Sequence, residues 1–407
     1  MAEKTPRVRG GFRFPYNIIW NRRSIQRNDM IFIVSILLFN FYTWWRLRSA
    51  FLRGLPPWYS VALFAVVFFL ALMPATCRLV FGRQATGWLA DSCTVVMWIW
   101  CAWYFWFAAS FAVMDLWNLA MKLCGTQWCI KPFWEGIAGI VFVILASIWG
   151  LVEANCIRYR EVEIQSEKIP QSADGYRIAL ITDMHLSPCL RRSVAEKAVE
   201  LVKSSKADLL LNAGDFLDGA GEREKSMAKM FAGINVQDKF SIIGNHEVYF
   251  GVKESEEMHE LGGFRVLRES GTEISDWLYV HGVDDDALGN RYSMSPKKQG
   301  AVSYEPSEVA EKCAKRFSIL LKHRPEADAT ARKQFDLLMA GHSHGGQLFP
   351  FTLLVKIKYP LGTGLYEFPE GLKMYTSPGT GTWGPPFRVF ARPEVTVFVL
   401  TSSKPKA

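Results

Sequence analysis

Five short polar clusters in the second half of the chain contain residue types that bind metal ions. In chain order they are Asp183-Met184-His185, Gly214-Asp215-Phe216-Leu217-Asp218, Gly244-Asn245-His246-Glu247, His323 and Gly341-His342-Ser343-His344. Carboxylate, imidazole and amide ligands without cysteine suit borderline to hard divalent ions such as Mn²⁺, Fe²⁺, Zn²⁺ or Co²⁺. Five of the 7 histidines lie in these clusters. The residue types therefore predict a divalent-metal site.

Each cluster follows a predicted β-strand. From residue 176 onward, short β-branched runs alternate with polar helical stretches, which predicts an α/β fold. The strands are expected at 177–182, 208–212, 239–243, 278–283, 317–321, 336–340 and 395–400, and the helices at 193–204, 222–231 and 308–316. Because ligands bind beyond the carboxyl ends of strands in open α/β sheets, the five clusters can converge on one point.

Each cluster alone is a weak signal. Asp-x-His occurs often by chance, and glycine-rich turns can serve the backbone only. A lone histidine such as His323 is more often a satisfied core or surface residue than a ligand. The complete set in one chain is what favours a metal centre.

The order of the motifs resembles that of the calcineurin-like metallophosphoesterase family, which reads DxH, GDxxD, GNH[DE], a lone His and GHxH. The resemblance covers roughly residues 175–401. The segment GHSHGGQ and the tail after it look like the membrane-associated bacterial subgroup with YaeI-, YkuE- and LpxG-like members. Pro378 departs from that subgroup, which often has Arg at this place. The resemblance implies an αββα sandwich that binds two divalent metal ions, manganese among the candidates.

The resemblance also implies which residues hold the metals. The implied ligands are Asp183, His185 and His344 for the first ion, Asn245, His323 and His342 for the second, and Asp215 as the bridge between them. A carboxylate suits the bridging position, because a neutral amide bridges two cations poorly. Two ions about 3.5–4 Å apart clamp a phosphoryl group and lower the pKa of a bridging water, so the expected nucleophile is a hydroxide that bridges the metals.

Three further residues receive catalytic roles from the same resemblance. His246 would contact the substrate phosphate beside Asn245, as hydrogen-bond donor or as general acid to the leaving oxygen. Histidine suits this role because it titrates nearest to neutral pH. Glu247 would orient the imidazole of His246, and Asp218 would support the site from outside the ligand shell. The expected activity is metal-dependent hydrolysis of a phosphoric ester.

The first part of the chain has a different composition. Residues 1–160 have a net charge of +10 and residues 161–407 a net charge of −2, while 13 of the 15 Trp lie in the first 150 residues. Apolar stretches at 30–45, 58–77, 92–114 and 133–152 predict four transmembrane helices. The expected division is a basic leader (1–29), a transmembrane domain (30–155), a linker (156–174), the catalytic domain (175–401) and a tail (402–407). The leader is either interfacial or disordered.

Loop charges predict the orientation. Basic residues are more numerous on the side of the leader and of the exit at Arg158 and Arg160, so a multi-pass inner-membrane protein with a cytoplasmic catalytic domain is expected. If the short first stretch does not span, the domain lies on the other side. Cys124 and Cys129 either form a local disulfide in the outer loop or stay as free thiols.

The substrate is less constrained. The charge of −2 argues against nucleic acid, and the membrane domain favours a lipid-linked phosphate. The LpxG-like resemblance suggests UDP-2,3-diacylglucosamine, a substrate in lipid metabolism. The apolar stretch 348–366 either receives acyl chains or packs as a hairpin. The alternatives are a generic phosphodiesterase or phosphatase on soluble substrates, and a non-catalytic scaffold or receptor.

Overall fold

The structure is a computed structural model that describes residues 27–81, 87–288 and 307–403. Most of the expected leader, residues 82–86 and 289–306, and the last four residues lie outside the described residues. The described chain forms a helical region followed by an α/β domain.

The helical region contains four helices: α1 (Arg27–Phe51), α2 (Pro57–Phe81), α3 (Trp88–Leu123) and α4 (Pro132–Asn155). Each predicted apolar stretch lies within one of them. Within the described residues, however, only α3 and α4 are long and apolar enough to cross a membrane. Helix α1 includes Asn40, Arg46 and Arg48, which lower its hydropathy. The described residues therefore contain two candidate spans, and the expectation of four transmembrane helices is not confirmed.

Charged residues at the ends of three of the apolar stretches contact one another within the helical region. The guanidinium of Arg46 lies 3.0 Å from Asp115 of α3 and 2.5 Å from Glu135 of α4. Glu135 is buried and also accepts a hydrogen bond from Asn118, 2.6 Å away. Nearby, Cys124 and Cys129 are free thiols, so the disulfide alternative is not realised.

The α/β domain contains two mixed six-stranded sheets. The first has the order β1-β12-β2-β3-β4-β5 and the second β10-β11-β9-β8-β7-β6. The strands of the first are β1 (Arg158–Ser166), β2 (Tyr176–Ile181), β3 (Leu209–Asn212), β4 (Asp238–Ser241), β5 (Arg265–Val266) and β12 (Glu394–Ser402). Those of the second are β6 (Ser270–Glu273), β7 (Leu278–Gly282), β8 (Phe317–Leu321), β9 (Leu337–Ala340), β10 (Gly364–Glu367) and β11 (Lys373–Thr376).

The two sheets pack face to face, with helices on their outer faces. One apolar core joins Ile178 and Phe240 of the first sheet to Val280 and Ile319 of the second. The helices of this domain are α5 (Arg192–Ser204), α6 (Glu222–Ala232), α7 (Asn245–Phe250), α8 (Val252–Leu261), α9 (Ser307–Lys315), α10 (Ala329–Gln334) and α11 (Phe351–Lys358). Separate cores lie under α5 and α6 and under α9 and α10. The layers are those of the expected αββα sandwich.

The segment expected as a linker is part of the first sheet. Residues 158–166 form β1, which pairs in parallel with β12 along its whole length, from Arg158 opposite Glu394 to Ser166 opposite Ser402. The α/β domain thus begins near residue 158 and not at 175. The strand was missed because its sequence, RYREVEIQS, has few apolar residues, as is usual for an edge strand.

The helical region packs against the loop 377–393 of the α/β domain. Phe387 and Val389 share an apolar core with residues of α3 and α4. The backbone N–H of Arg388 donates to the carbonyl of Gly150, 3.0 Å away. Glu153 of α4 accepts hydrogen bonds from the backbone N–H groups of residues 390 and 391. The helices are therefore fixed to the same loop that borders the predicted site.

Candidate metal centre

The candidate ligands lie where strands end. Asp183 follows β2, Asp215 follows β3 and Asn245 follows β4, all in the first sheet. His323 follows β8 in the second sheet, and His342 and His344 follow β9. Both sheets present the carboxyl ends of these strands to the same place, as the strand-and-motif pattern predicted.

The first group of ligands consists of Asp183, His185 and His344, and all three are buried. The Nε2 atoms of His185 and His344 are 3.0 Å apart. The Nε2 atom of His344 lies 3.5 Å from Asp183 Oδ1. The carboxylate of Asp183 is itself held by the hydroxyl of Thr182, 2.8 Å away. Three potential ligand atoms thus face a common centre.

The second group consists of Asp215, His323 and His342. His323 Nε2 lies 3.1 Å from Asp215 Oδ2 and 3.3 Å from His342 Nδ1. The same Oδ2 atom lies 3.7 Å from His185 Nε2 in the first group. Asp215 therefore stands between the two groups, where a bridging carboxylate is needed.

The backbone at these ligands is strained. Among the described residues, nine that are not glycine have positive φ angles, and five of the nine are candidate ligands: Asp183, His185, Asp215, His342 and His344. A non-glycine residue in the left-handed region costs on the order of 1–3 kcal/mol and persists where the surrounding structure imposes it. Such strain is concentrated at functional sites, which supports a functional role for these turns.

Two glycines permit the close approach of the ligand loops. A Cβ atom on Gly244 would lie 2.2 Å from Asp215 Oδ1, and one on Gly341 would lie 2.2 Å from Asp183 Oδ2. No side chain fits at either position without displacing a candidate ligand. This is the physical reason for glycine before Asn245 and before His342.

His246 and Asp218 form a third group with His185. One carboxylate oxygen of Asp218 lies 2.5 Å from His246 Nδ1, and the other lies 3.0 Å from His185 Nδ1. Asp218 therefore contacts the expected acid and one expected metal ligand, as an outer-shell carboxylate does. It is also the residue that orients the imidazole of His246.

Glu247, which was expected to orient His246, has other partners. Its buried carboxylate accepts hydrogen bonds from the backbone N–H groups of Asp215, Phe216, Leu217 and Gly244, at 2.6–3.2 Å. It thereby holds the turn that carries Asp215. Glu247 stands three residues after Gly244, so the reach back to that N–H follows the N-terminal pattern of a helix and could have been predicted.

Burial and neighbouring charges shift the pKa values of the histidines. Burial lowers the pKa of His246, but Asp218 and then Asp215 outweigh it and raise the value to about 10. His323 behaves similarly, because Asp215 overcomes burial and raises its pKa to about 10. Both side chains carry protons that balance the buried carboxylates. A metal ion at His323 must displace that proton, so ion binding is coupled to proton release.

The side-chain amide oxygen of Asn245 gives a further indication that this site binds a metal ion. Asn245 is buried, and its Oδ1 atom has no hydrogen-bond partner within the described part of the chain. A buried acceptor left without a partner costs about 1–3 kcal/mol, and coordination of a cation would satisfy it. Together with the two carboxylate and histidine groups, the residues present fit two divalent ions.

Comparisons with known proteins agree with this geometry. Residues 176–346 match the calcineurin-like phosphoesterase family. An uncharacterized metallophosphoesterase of Aquifex aeolicus is 33% identical over 264 residues, which cover 63% of this chain and 97% of that protein. The chain belongs to the calcineurin-like phosphoesterase family. It is accordingly a metal-dependent phosphoester hydrolase, and the family depends on two metal ions.

Two other relatives show how far the similarity extends. A zebrafish transmembrane protein with a metallophosphoesterase domain is 32% identical over 288 residues, covering 66% of this chain and 63% of that protein. The metallophosphoesterase YkuE of Bacillus subtilis is 29% identical over 266 residues, covering 62% and 88% respectively. The name of the zebrafish relative and the two apolar helices both suggest membrane association.

One residue near this phosphoesterase site was not found from the sequence. Arg388 is fully buried, and its guanidinium donates to the carbonyls of Pro378, Gly381 and Ala391 at 2.8 Å. Its Nη2 atom lies 3.1 Å from Nδ1 of His344. Burial, then His185, then Arg388 lower the pKa of His344 and keep it neutral, the form that binds metal. A lone Arg in the apolar run FRVF was its only sequence signal.

Trp383 was also missed. Its ring lies 5.7 Å from the ring of His246 on one side and 5.8 Å from Trp98 of α3 on the other. The side chain of Gln347 fixes the backbone of Trp383, accepting from its N–H and donating to its carbonyl, both at 2.9 Å. Gln347, the last residue of the GHSHGGQ motif, was the sequence feature that could have indicated a hydrogen-bonded contact with a second loop.

Proposed function

We propose that the protein is a membrane-bound phosphoesterase that hydrolyses a phosphodiester or pyrophosphate bond in a lipid-linked or nucleotide-linked substrate. The observation that carries the proposal is the position of Asp215 Oδ2, within 3.7 Å of His185 and 3.1 Å of His323. One carboxylate oxygen facing both groups of ligands is what a two-metal site requires. We assign the first ion to Asp183, His185 and His344, and the second to Asn245, His323 and His342.

The ions and the protein residues would divide the chemistry. Bound divalent ions supply Lewis-acid polarisation of the phosphoryl group and activation of water. Asp215 would be the ligand shared by the two ions, and the backbone N–H of His246, 2.9 Å from its Oδ1, fixes the orientation of that carboxylate. Glu247 stabilises the turn that bears Asp215. The strained ligand loops thus hold the site in one arrangement before substrate binds.

His246 is the residue that we assign to the leaving oxygen. Its Nδ1 is engaged by Asp218, so Nε2 is the nitrogen that can reach a substrate. The charge of Asp218 keeps the ring protonated near neutral pH, which suits a donor to an anionic phosphate or an acid to an alkoxide. Asn245, the neighbouring residue, would contact the same phosphate.

The surroundings of His246 favour a substrate with an apolar or planar part. The rings of Tyr249 and Trp383 flank His246 at 5.6 and 5.7 Å, and Trp98 continues the aromatic surface onto α3. A leaving group next to His246 would therefore touch a helix of the apolar region. This supports a lipid-linked phosphate, with UDP-2,3-diacylglucosamine as one concrete candidate, over a small soluble ester.

We also propose a multi-pass arrangement with the α/β domain in the cytoplasm. The contacts of Arg46 with Asp115 and Glu135 bring the charged ends of three apolar stretches to one level of the bundle, as a shared membrane boundary would. The excess of basic residues on the side of Arg158 and Arg160 supports the orientation. The partners are then the bilayer and the phosphate substrate, and no nucleic acid is expected.

The test is hydrolysis of bis-p-nitrophenyl phosphate by the full-length protein in detergent with Mn²⁺, with a chelator as control. We expect chelator-sensitive hydrolysis together with about two ions per chain by elemental analysis. UDP-2,3-diacylglucosamine should then compete, and soluble nucleotides should compete less. Competition by soluble esters alone would favour the generic phosphodiesterase, and a protein with neither metal nor hydrolysis would be a scaffold.

A further inference from the structure

Helix α11 exposes an apolar face that no described residue covers. Leu353, Leu354 and Ile357 are 54%, 54% and 79% exposed. Positions i, i+1 and i+4 share one side of a helix, so the three side chains form a single patch. On the opposite side, Thr352 is buried against the domain. Apolar side chains exposed together on one short helix indicate a surface that is covered in the working protein.

Two lysines border this patch. Lys356 and Lys358 are exposed and lie in the last turn of α11. At 100° per residue, they project to opposite sides of the patch made by Leu353, Leu354 and Ile357. An apolar face with lysines on both flanks is the pattern of a helix that lies in a membrane interface. There the lysine stems follow the apolar surface while the ammonium groups reach the phosphates.

The patch is continuous with the apolar helices. The ring of Phe351 lies 6.4 Å from Phe105 of α3, and the indole N–H of Trp106 donates to the carbonyl of Phe349, 2.9 Å away. The ring of Phe390, which is 67% exposed, lies 5.6 Å from Phe349 and 6.0 Å from Trp149 of α4. Exposed apolar groups of α11, of Phe390 and of α4 therefore form one collar around the junction.

The collar lies at the junction of the helical region and the α/β domain. It meets α3 at residues 105–106 and α4 at residue 149. The charged group of Arg46, Asp115 and Glu135 contacts the same two helices at residues 115 and 135. The collar and this charged group therefore lie at different levels of both helices.

The same helix also reaches the metal centre. Tyr359 directly follows α11, and its ring lies 6.0 Å from the ring of His342. Its hydroxyl is buried and has no hydrogen-bond partner within the described residues. Tyr359, at the end of α11, therefore lies next to a candidate metal ligand.

We infer that α11 and Phe390 insert into the interface of a lipid bilayer and hold the phosphoesterase site at the height of the lipid phosphates. The inference rests on the proposed membrane-bound function and names the source of its substrate, a phosphate carried by a membrane lipid. The collar's continuity with α3 and α4 and its flanking lysines favour the bilayer as occupant over a second copy or another protein.

The test measures depth and needs no enzyme activity. An environment-sensitive fluorophore is attached to Ile357→Cys and, separately, to Phe390→Cys in the full-length protein, in bilayer nanodiscs of phosphatidylcholine and phosphatidylglycerol. Wild-type protein labelled in the same way corrects for the native cysteines. Glu260→Cys is the matched control, because Glu260 is exposed on α8, away from the collar. Quenching is compared for phosphatidylcholine spin-labelled at carbon 5 or carbon 12.

We expect the carbon-5 label to quench both collar sites at least about two-fold more than the control, and more than the carbon-12 label does. Quenching equal to the control would overturn the inference. A blue-shifted emission that is insensitive to the labelled lipid would also overturn it, because the patch would then face protein. If the collar sites are quenched but no phosphoester is hydrolysed, the placement stands and the proposed function fails.

Discussion

The helical region and the α/β domain both bury charged groups, but they arrange them differently. In the helical region, Arg46 faces two carboxylates, Asp115 and Glu135, so positive and negative groups alternate. In the α/β domain, like atoms face one another, as in the 3.0 Å approach of His185 Nε2 to His344 Nε2. In the first arrangement opposite charges contact one another directly, whereas the second needs a proton or a cation between its members. We therefore interpret buried groups of opposite charge that contact one another as structural, and buried ligand atoms that converge as a binding site.

The largest expected effect tests the converging group. Asp215→Asn replaces the carboxylate between the two ligand groups with an amide, which bridges cations poorly. We expect hydrolysis of bis-p-nitrophenyl phosphate to fall by more than about 10³-fold, since both metal sites and the nucleophile depend on it. Elemental analysis should show fewer than two ions per chain. Asp276→Asn, at an exposed turn, should retain wild-type activity. If the Asp215→Asn variant retained a tenth of the wild-type activity, Asp215 would not be the bridging ligand.

The second prediction concerns the ion-paired group around Arg46. Glu135→Gln leaves Arg46 with a single, half-exposed carboxylate partner. Removing one member of a buried ion pair costs about 3–5 kcal/mol, so thermal unfolding in detergent should occur at a clearly lower temperature. Turnover per bound metal should not change, because the cluster lies far from the site. Arg48→Gln, at an exposed position, should change stability by less than about 0.5 kcal/mol. If Glu135→Gln lowered turnover while stability was unchanged, the cluster would be functional.

The two regions also differ in how much could be predicted from sequence. Most strands, and the convergence of the polar clusters at their ends, could be predicted because each motif is local and follows an apolar run. The edge strand β1 was not, since its polar sequence resembles a linker. The partners of Arg46 could not be predicted, because they come from helices far apart in the chain. Four membrane spans were expected from four apolar stretches, but only α3 and α4 meet the length and composition of a span among the described residues.

Arg388 shows that contacts within the metal site were also beyond prediction from the sequence. Its contacts with Pro378 and His344 depend on how the loop 377–393 folds back, which no spacing rule encodes. Arg388→Met should weaken metal binding by about 10–100-fold, as loss of an outer-shell partner does, and excess metal should restore activity. Arg388→Lys should fall between Arg388→Met and wild type. Arg392→Met is the matched control, because Arg392 is exposed and donates only to Cys156 among the described residues. Unchanged metal affinity in Arg388→Met would contradict the assigned role.

The smallest effect is expected for the pKa of His246, which tests its role as general acid separately from metal binding. Asp218 raises the pKa of His246 above the value that burial alone would give, so Asp218→Asn should lower that pKa. The protonated imidazole is then lost at a lower pH, and the alkaline limb of the pH dependence of kcat should move down by about one unit or more. The measurement uses saturating metal, because Asp218 also contacts His185. His246→Ala should retain its ions, lose most of kcat and lose this limb. An alkaline limb that stays in place in Asp218→Asn would mean that the group titrating there is not His246, and the leaving oxygen would then need another donor.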